Sequence, residues 1–421
     1  MDRVRLILYC DYIISFCLCL AVFCIPFAKA GVETFIWMAI FIWILKRVLG
    51  YRGESLGKML PKTELNMVIG IFLIVNLLSM IFSANFGLSL RGFFGKIFKF
   101  IAIYFMIIET MNTKKRLRNL LIAIIASVVL LMSDAGAQYF TGRDFLRGYE
   151  FARLRASFAT VNGFGAWLIV VMPLLCGILI SEGIFNKKIR PFLVALIGLS
   201  AACLLMTYSR GAWLGFTFSL LFVVSYYIRR LSLKAKITTI SLAVFLFTAL
   251  YFLPQPIKIK SAIIVNKFLK SGEPSIGKRM RSITSLEDLS NKFRINFWKE
   301  SIAIIEDYPL TGCGLNTYSI VARNYKVSEF GGIYPHNSIL QMAAETGLLG
   351  ISAFLLILIT LFRLGMKKLK ESNDYLVLYC LAAVLAFFTH SFFDNLLFSL
   401  PLVVLFWFTL GLTVAVIKIE S

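Results

Sequence analysis

His336 is one of only two histidines in the chain, and it sits in Pro335-His336-Asn337-Ser338, where the polar stretch 254–335 gives way to a long apolar run. Imidazole releases its proton near neutral pH, so a histidine at the mouth of an apolar helix can act as a general base or acid facing water. A histidine at a helix start can equally be a cap or an interfacial side chain, and position alone admits both readings. Cations stand nearby in the pattern. Arg210 lies in Ser209-Arg210-Gly211-Ala212-Trp213, a link between two apolar runs too short for anything but a tight turn. Arg155 precedes Ser157-Phe158-Ala159-Thr160-Val161-Asn162, and Arg294 is four residues before Trp298, on one helix face. Guanidinium groups grip phosphate oxygens in forked pairs without a metal, so several of them around one vestibule suit a diphosphate ligand.

Other polar residues carry two readings each. Asn337, Gln341 and Glu345 fall at i, i+4 and i+8, a polar stripe on an otherwise apolar helix, with Glu345 either a structural hydrogen-bonding group or part of a site. His390 and Asp394, also i and i+4, form either a base with its orienting carboxylate or a local helix-end bond. Arg91, Lys96 and Lys99 border the fourth apolar run, and the two lysines are expected to snorkel to lipid headgroups. Neither Cys nor His recurs at metal-ligand spacing, so no metal site and no cofactor are expected.

The elements that must position these groups are membrane helices. Hydrophobic residues make up 59% of the chain and charged ones 16%, with a mean hydropathy of +0.82. That is an all-α polytopic membrane protein, outside the range of soluble domains. Runs of roughly 20 apolar residues predict about 12 spans, at 6–25, 32–48, 65–84, 94–111, 118–139, 158–180, 191–208, 212–228, 236–253, 337–362, 375–394 and 398–417. Three parts follow: spans one to nine in 1–253, a loop at 254–335, and the last three spans in 336–421.

Positive charge orients the bundle. Arg3 and Arg5, the loop from Lys46 to Lys62, Lys114 to Arg118, Lys187 to Arg190, Arg229 to Lys236 and Arg363 to Lys370 fall on alternate connections, which makes that side and both termini cytoplasmic. The net charge of +22 is then a topology signal, and no soluble basic domain for nucleic acid is visible. The first run is too long, and with Asp11 too polar, for a signal-peptide core, so it reads as an uncleaved helix. Seven of the eight cysteines lie in spans and only Cys313 in the loop, so there is no disulfide framework.

The loop 254–335 is where water-facing chemistry would be built. It opens on Pro254 and Pro256, runs through the basic stretch Lys258 to Arg281, and becomes helical after the capping pattern Thr284-Ser285-Leu286-Glu287, with a stop at Pro309. Phe293, Phe297, Trp298, Ile302, Ile304 and Ile305 recur at the spacing of an amphipathic helix lying on the membrane or on the bundle. The glycines of Thr311-Gly312-Cys313-Gly314 mark a tight return toward His336.

In this order, Arg155-Ala156-Ser157-Phe158 with Asn162-Gly163-Phe164, Ser209-Arg210-Gly211-Ala212-Trp213, Arg294 to Trp298, Asp307 to Gly314, Pro335-His336-Asn337-Ser338 and Glu345 to Gly350 resemble the O-antigen ligase and polymerase superfamily of bacterial envelope glycosyltransferases. The resemblance spans most of the chain. It implies a GT-C-like membrane enzyme that transfers glycan from an undecaprenyl diphosphate carrier on the periplasmic face of the inner membrane, without metal or nucleotide sugar. It also implies roles: Arg210 and Arg294, with Arg155 less directly, for the carrier diphosphate, His336 for the acceptor hydroxyl, and Asn162, Trp298, Asn337 and Glu345 in support. The acceptor would be lipid A-core for a ligase, or carrier-linked glycan for a polymerase; the single long loop before the His helix favours the ligase. A transporter or flippase is the reading from another class, but its binding groups would gather near the bilayer midplane and not at one rim.

Overall fold

The computed structural model describes residues 3–50, 60–150, 153–228, 289–325, 334–372 and 374–419. The main helices are α1 (Arg3–Cys24), α2 (Lys29–Gly50), α3 (Asn66–Ile81), α4 (Phe86–Gly92), α5 (Lys99–Thr110), α6 (Lys114–Thr141), α7 (Val161–Ile180), α8 (Arg190–Met206), α9 (Arg210–Ile228), α10 (Leu289–Asp307), α11 (Tyr318–Val321), α12 (Ser338–Ser372), α13 (Tyr375–His390) and α14 (Leu400–Lys418). A π-helical segment, Phe93–Phe98, joins α4 to α5. Among the described residues the only β-type pairing is one isolated bridge, Arg143 to Glu150.

The described part is an all-helical, multi-pass membrane architecture. Seven helices are long and apolar enough to cross a membrane, among them Val161–Ile180, Ser338–Ser372 and Leu400–Lys418, while Asn66–Ile81 and Tyr375–His390 are apolar but shorter. The expected ninth run, 236–253, lies outside the described residues, as do the basic stretch Lys258 to Arg281 and the capping pattern Thr284 to Glu287. All eight cysteines are free thiols.

The centre of the bundle is α7 and α14, buried along most of their length, with α13 packed between α7 and α9. Rings fill the space between α3, α5, α12 and α14: Phe72 lies 6.2 Å from Phe354 and 6.0 Å from Trp407, and Phe100 stacks on Trp407 at 6.3 Å. Such offset aromatic packing adds to burial without demanding polar partners.

Connections between helices gather at two ends. At one end, Ser157 Oγ donates to Pro26 O (2.9 Å), Ser209 Oγ to Asn162 Oδ1 (2.8 Å), Ala84 N to Cys313 O (2.9 Å) and Ser338 N to Ser391 O (2.8 Å). These bonds tie the α1–α2, α6–α7, α8–α9, α3–α4, loop and α13–α14 connections into one cap. The opposite end carries Lys114 to Arg118, Lys187, Lys188 and Arg363 to Lys370. Near it, Lys46 pairs with Asp11 and Glu109, Arg47 pairs with Glu109, and Trp43 Nε1 donates to Glu109 at 2.9 Å, which pins α1, α2 and α5 together.

The helix α12 is broken at Gly347 (φ 68°, ψ −176°), where the sequence alone suggested a continuous span. A Cβ at Gly347 would fall 2.1 Å from Leu310 O, so only glycine permits the crossing. The loop after α10 passes through this break. Leu348 N donates to Pro309 O (2.8 Å), Cys313 N to Ala344 O (2.8 Å) and Gly314 N to Glu345 O (3.0 Å), so the loop meets the backbone groups that the break sets free. The expected amphipathic helix is α10, and it lies on the bundle. Phe297, Ser301 and Ile304 are buried, Phe293 and Ile302 are exposed, and Ile304 joins a small core with Cys313, Tyr318, Val321, Ala322 and Ala344.

Candidate active site

His336 is held by the turn that starts α12 and by the loop that ends α13. Its backbone is left-handed (φ 50°), which lets the chain reverse before the helix and leaves the side chain half exposed. Trp298 Nε1 donates to Pro335 O at 3.1 Å, and the Phe297 ring lies 6.4 Å from the imidazole, so α10 forms one wall. Asn337 is spent as a helix cap: its Oδ1 accepts from Ile339 N (2.9 Å) and Leu340 N (3.1 Å).

His336 Nδ1 lies 3.2 Å from Asp394 Oδ1. Burial works against ionisation of Asp394, but the His336 hydrogen bond, the neighbouring His390 and the Asn395 amide outweigh it and hold the carboxyl at about 2. An ionised carboxylate only accepts, so the shared hydrogen belongs to Nδ1, and in the neutral ring Nε2 is left with its lone pair free for a proton. The pair is supported from behind. Ser338 Oγ donates to Asp394 O (2.9 Å) and accepts from Leu397 N (3.2 Å), while Asn395 N donates to Asp394 Oδ1 (2.8 Å).

This pairing replaces the expected one between His390 and Asp394. The helix α13 stops at His390, so the i, i+4 register does not continue, and the turn swings Asp394 across to His336. His390 is buried beneath, 1% exposed, with Nδ1 lacking a hydrogen-bond partner among the described residues. A Cβ on Gly211 would sit 2.6 Å from its ring, so the missing side chain lets the start of α9 lie flat on the imidazole. Arg210 is the first residue of α9, and the charge of Arg294 reaches His390 as well. The site end therefore draws Arg210, Arg294, His390, Asp394 and His336 into one neighbourhood.

Arg155 stands apart from that group. It is 9% exposed, donates to Ala159 O, lies 6.0 Å over the Tyr149 ring, and has its charge disfavoured by burial, with Asp144 opposing. Asn162 is bonded to Ser209, one residue before Arg210, and so links the Arg155 loop to the start of α9. Glu345 is 3% exposed and fully engaged: Gln341 Nε2 donates to Oε1 (3.1 Å) and Asn316 N to Oε2 (2.8 Å). That is the structural one of its two readings. The two lysines expected to snorkel do otherwise. Lys99 is 2% exposed and pairs with Glu33 at 2.7 Å, and Lys96 donates to Asn316 Oδ1 at 2.7 Å, so each meets an oxygen inside the protein.

The four non-glycine residues with positive φ among the described residues are Ala156, Tyr208, Asn316 and His336. They adjoin Arg155, Ser209-Arg210, the Glu345 contact and the imidazole, so backbone strain is concentrated in the same motifs that the sequence singled out. Strain of about 1–3 kcal/mol per residue persists where surrounding contacts over-determine it, which is common at functional sites. Among the described residues no group of three or more His, Cys, Asp or Glu side chains is placed to hold a metal ion.

Residues 194–355 match the family model described as O-antigen ligase. That stretch includes Arg210, Arg294, His336 and Glu345, and the match supports a place for the chain in the O-antigen ligase and polymerase superfamily. The match supports O-antigen ligase or polymerase activity in the broad sense and is consistent with glycan substrates at a membrane. No curated protein matches the chain.

Proposed function

We propose that this protein is an O-antigen ligase that transfers glycan from an undecaprenyl diphosphate carrier to a sugar hydroxyl of lipid A-core, on the periplasmic face of the inner membrane. The observation that carries the reading is the His336–Asp394 pair, 3.2 Å apart at the end of the bundle where α9 starts at Arg210 and the charge of Arg294 reaches His390. The basic connections at the opposite end support a cytoplasmic assignment for that end, and hence a periplasmic site.

In this mechanism the acceptor hydroxyl gives its proton to His336 Nε2 as its oxygen attacks the anomeric carbon. The new C–O bond forms opposite the breaking bond to the carrier phosphate, so one displacement inverts the anomeric centre. The departing lipid diphosphate takes the electron pair of that bond, and Arg210 and Arg294 offset its charge. A diphosphate leaves without a general acid, so the paired carboxylates of glycosidases are not required. Asp394 keeps the imidazole in the tautomer that accepts on Nε2 and stabilises the imidazolium once the proton has moved.

The test is the product made by purified protein in liposomes with carrier-linked glycan and lipid A-core. Glycan on lipid A-core is expected. Longer glycan still on the carrier would make the enzyme a polymerase, and carrier lipid moved across the bilayer without transfer would make it a flippase. In the same assay Arg210→Lys is expected to lose most transfer although charge is kept, because lysine lacks the planar fork that holds two phosphate oxygens. Near wild-type transfer by properly inserted Arg210→Lys protein would reduce the residue to a source of field.

A further inference from the structure

Beside the His336–Asp394 pair lies a polar cavity of about 200 Å³ that the reaction above leaves unused. Lys96, Asn316, Ser319, Tyr334, Gln341 and Asn395 line it. Two of these residues tie it to the pair: Tyr334 is two residues before His336, and Asn395 follows Asp394. Asn395 Nδ2 donates to Gln341 Oε1 (2.5 Å), and Gln341 Nε2 to Glu345 Oε1 (3.1 Å), so the amides form a directed chain along the wall. At the Asn395 end of the chain, Oδ1 is buried and has no hydrogen-bond partner among the described residues. A buried acceptor left open beside a cavity calls for a donor from outside the protein.

The chemistry of the lining selects the ligand. Carboxamides and the Ser319 and Ser399 hydroxyls both donate and accept, as a sugar's hydroxyls do, while the Tyr334 and Phe398 rings offer apolar faces to its C–H surface. Lys96 is the one cation among the described lining residues and donates to Asn316 Oδ1 (2.7 Å), so the cavity is not built for a diphosphate, and the arginines fall on the His390 flank. The volume is room for several waters or a single sugar ring.

We propose that this cavity is the acceptor-sugar subsite, with Asn395 and Gln341 hydrogen-bonding the ring whose hydroxyl is presented to His336. The proposal rests on the glycan-transfer reading but not on the choice between ligase and polymerase. It makes Asn395 a specificity residue. Asn395→Leu removes the amide at similar volume, and Ser319→Tyr fills the cavity from another element without touching the amide chain.

Both variants are to be assayed for transfer to lipid A-core, with donor binding measured separately. The KM for acceptor is expected to rise on the order of tenfold for Asn395→Leu, as one lost hydrogen bond gives, and by more for Ser319→Tyr, with donor affinity within about twofold of wild type. Acceptor KM within twofold of wild type in both, or donor binding lost in step with transfer, would overturn the subsite. A second arm needs no turnover: a maleimide reacting with Ser319→Cys protein is expected to be slowed by delipidated core oligosaccharide. Should wild type lengthen carrier-linked glycan instead, the ligase reading fails and the same arms are run with that glycan as acceptor and protectant. An unchanged labelling rate with the glycan that is the acceptor then removes the subsite while leaving transfer intact.

Discussion

Replacing His336 by alanine is expected to lower glycan transfer on the order of 10²–10⁴-fold, the usual contribution of a general base, while the protein stays inserted and binds carrier-linked donor. The size separates chemistry from stability. Asn337 and not His336 caps α12, so the helix start keeps its side-chain hydrogen bonds in the variant. What alanine does disturb is the left-handed backbone at φ 50°, a cost of roughly 1–2 kcal/mol. His336→Asn controls for this, because asparagine adopts that conformation readily but cannot take the proton. Equal losses in the two variants, with donor binding retained, assign the effect to the imidazole. Retention of half the wild-type turnover in either variant would remove His336 from the reaction.

The second large effect is expected at Asp394. Asp394→Asn presents an amide that can donate to Nδ1, which would move the ring hydrogen to Nε2 and abolish the base, so transfer should fall on the order of 10²-fold or more with acceptor and donor binding little changed. The wild-type carboxyl is lowered from 3.8 to about 2, so it stays ionised wherever the enzyme works. The sign for stability is that of a depressed acid: the contribution is complete above about pH 4 and is lost as pH falls through 2. A variant in which only the turn had loosened would lose acceptor or donor binding along with rate, whereas Asp394→Asn is expected to lose rate alone.

Much of this site was legible in the sequence because its parts are local. The order of Arg210, Arg294 and His336 and the break between polar loop and apolar run are features of the sequence itself, and the glycines of Thr311 to Gly314 announced the return that threads the α12 break. The partner of His336 was not legible. Asp394 is 58 residues away, and its spacing from His390 suggested a helical pair because nothing in the apolar run reveals that α13 ends at His390. Lys96 and Lys99 misled for a related reason: snorkelling is the default for a rim lysine, and only packing brings Asn316 and Glu33 within reach. The Glu345 stripe was visible as a spacing, but its work with the Asn316 backbone depends on a loop folding over it. Left-handed backbone at Ala156 and Tyr208 had no sequence signal, whereas Asn316 and His336 are residue types that enter that region more readily.

The central claim is that Asp394 acts through His336, and a double-mutant cycle on transfer rate tests it most directly. Asp394→Asn and His336→Ala are compared singly and together, at matched expression and with donor binding measured on each protein. If the carboxylate only positions and polarises the imidazole, its substitution costs on the order of 10²-fold in the wild-type background and less than about twofold once His336 is alanine. A full, multiplicative loss in the double variant would contradict the claim, because Asp394 would then be acting on the reaction without the histidine.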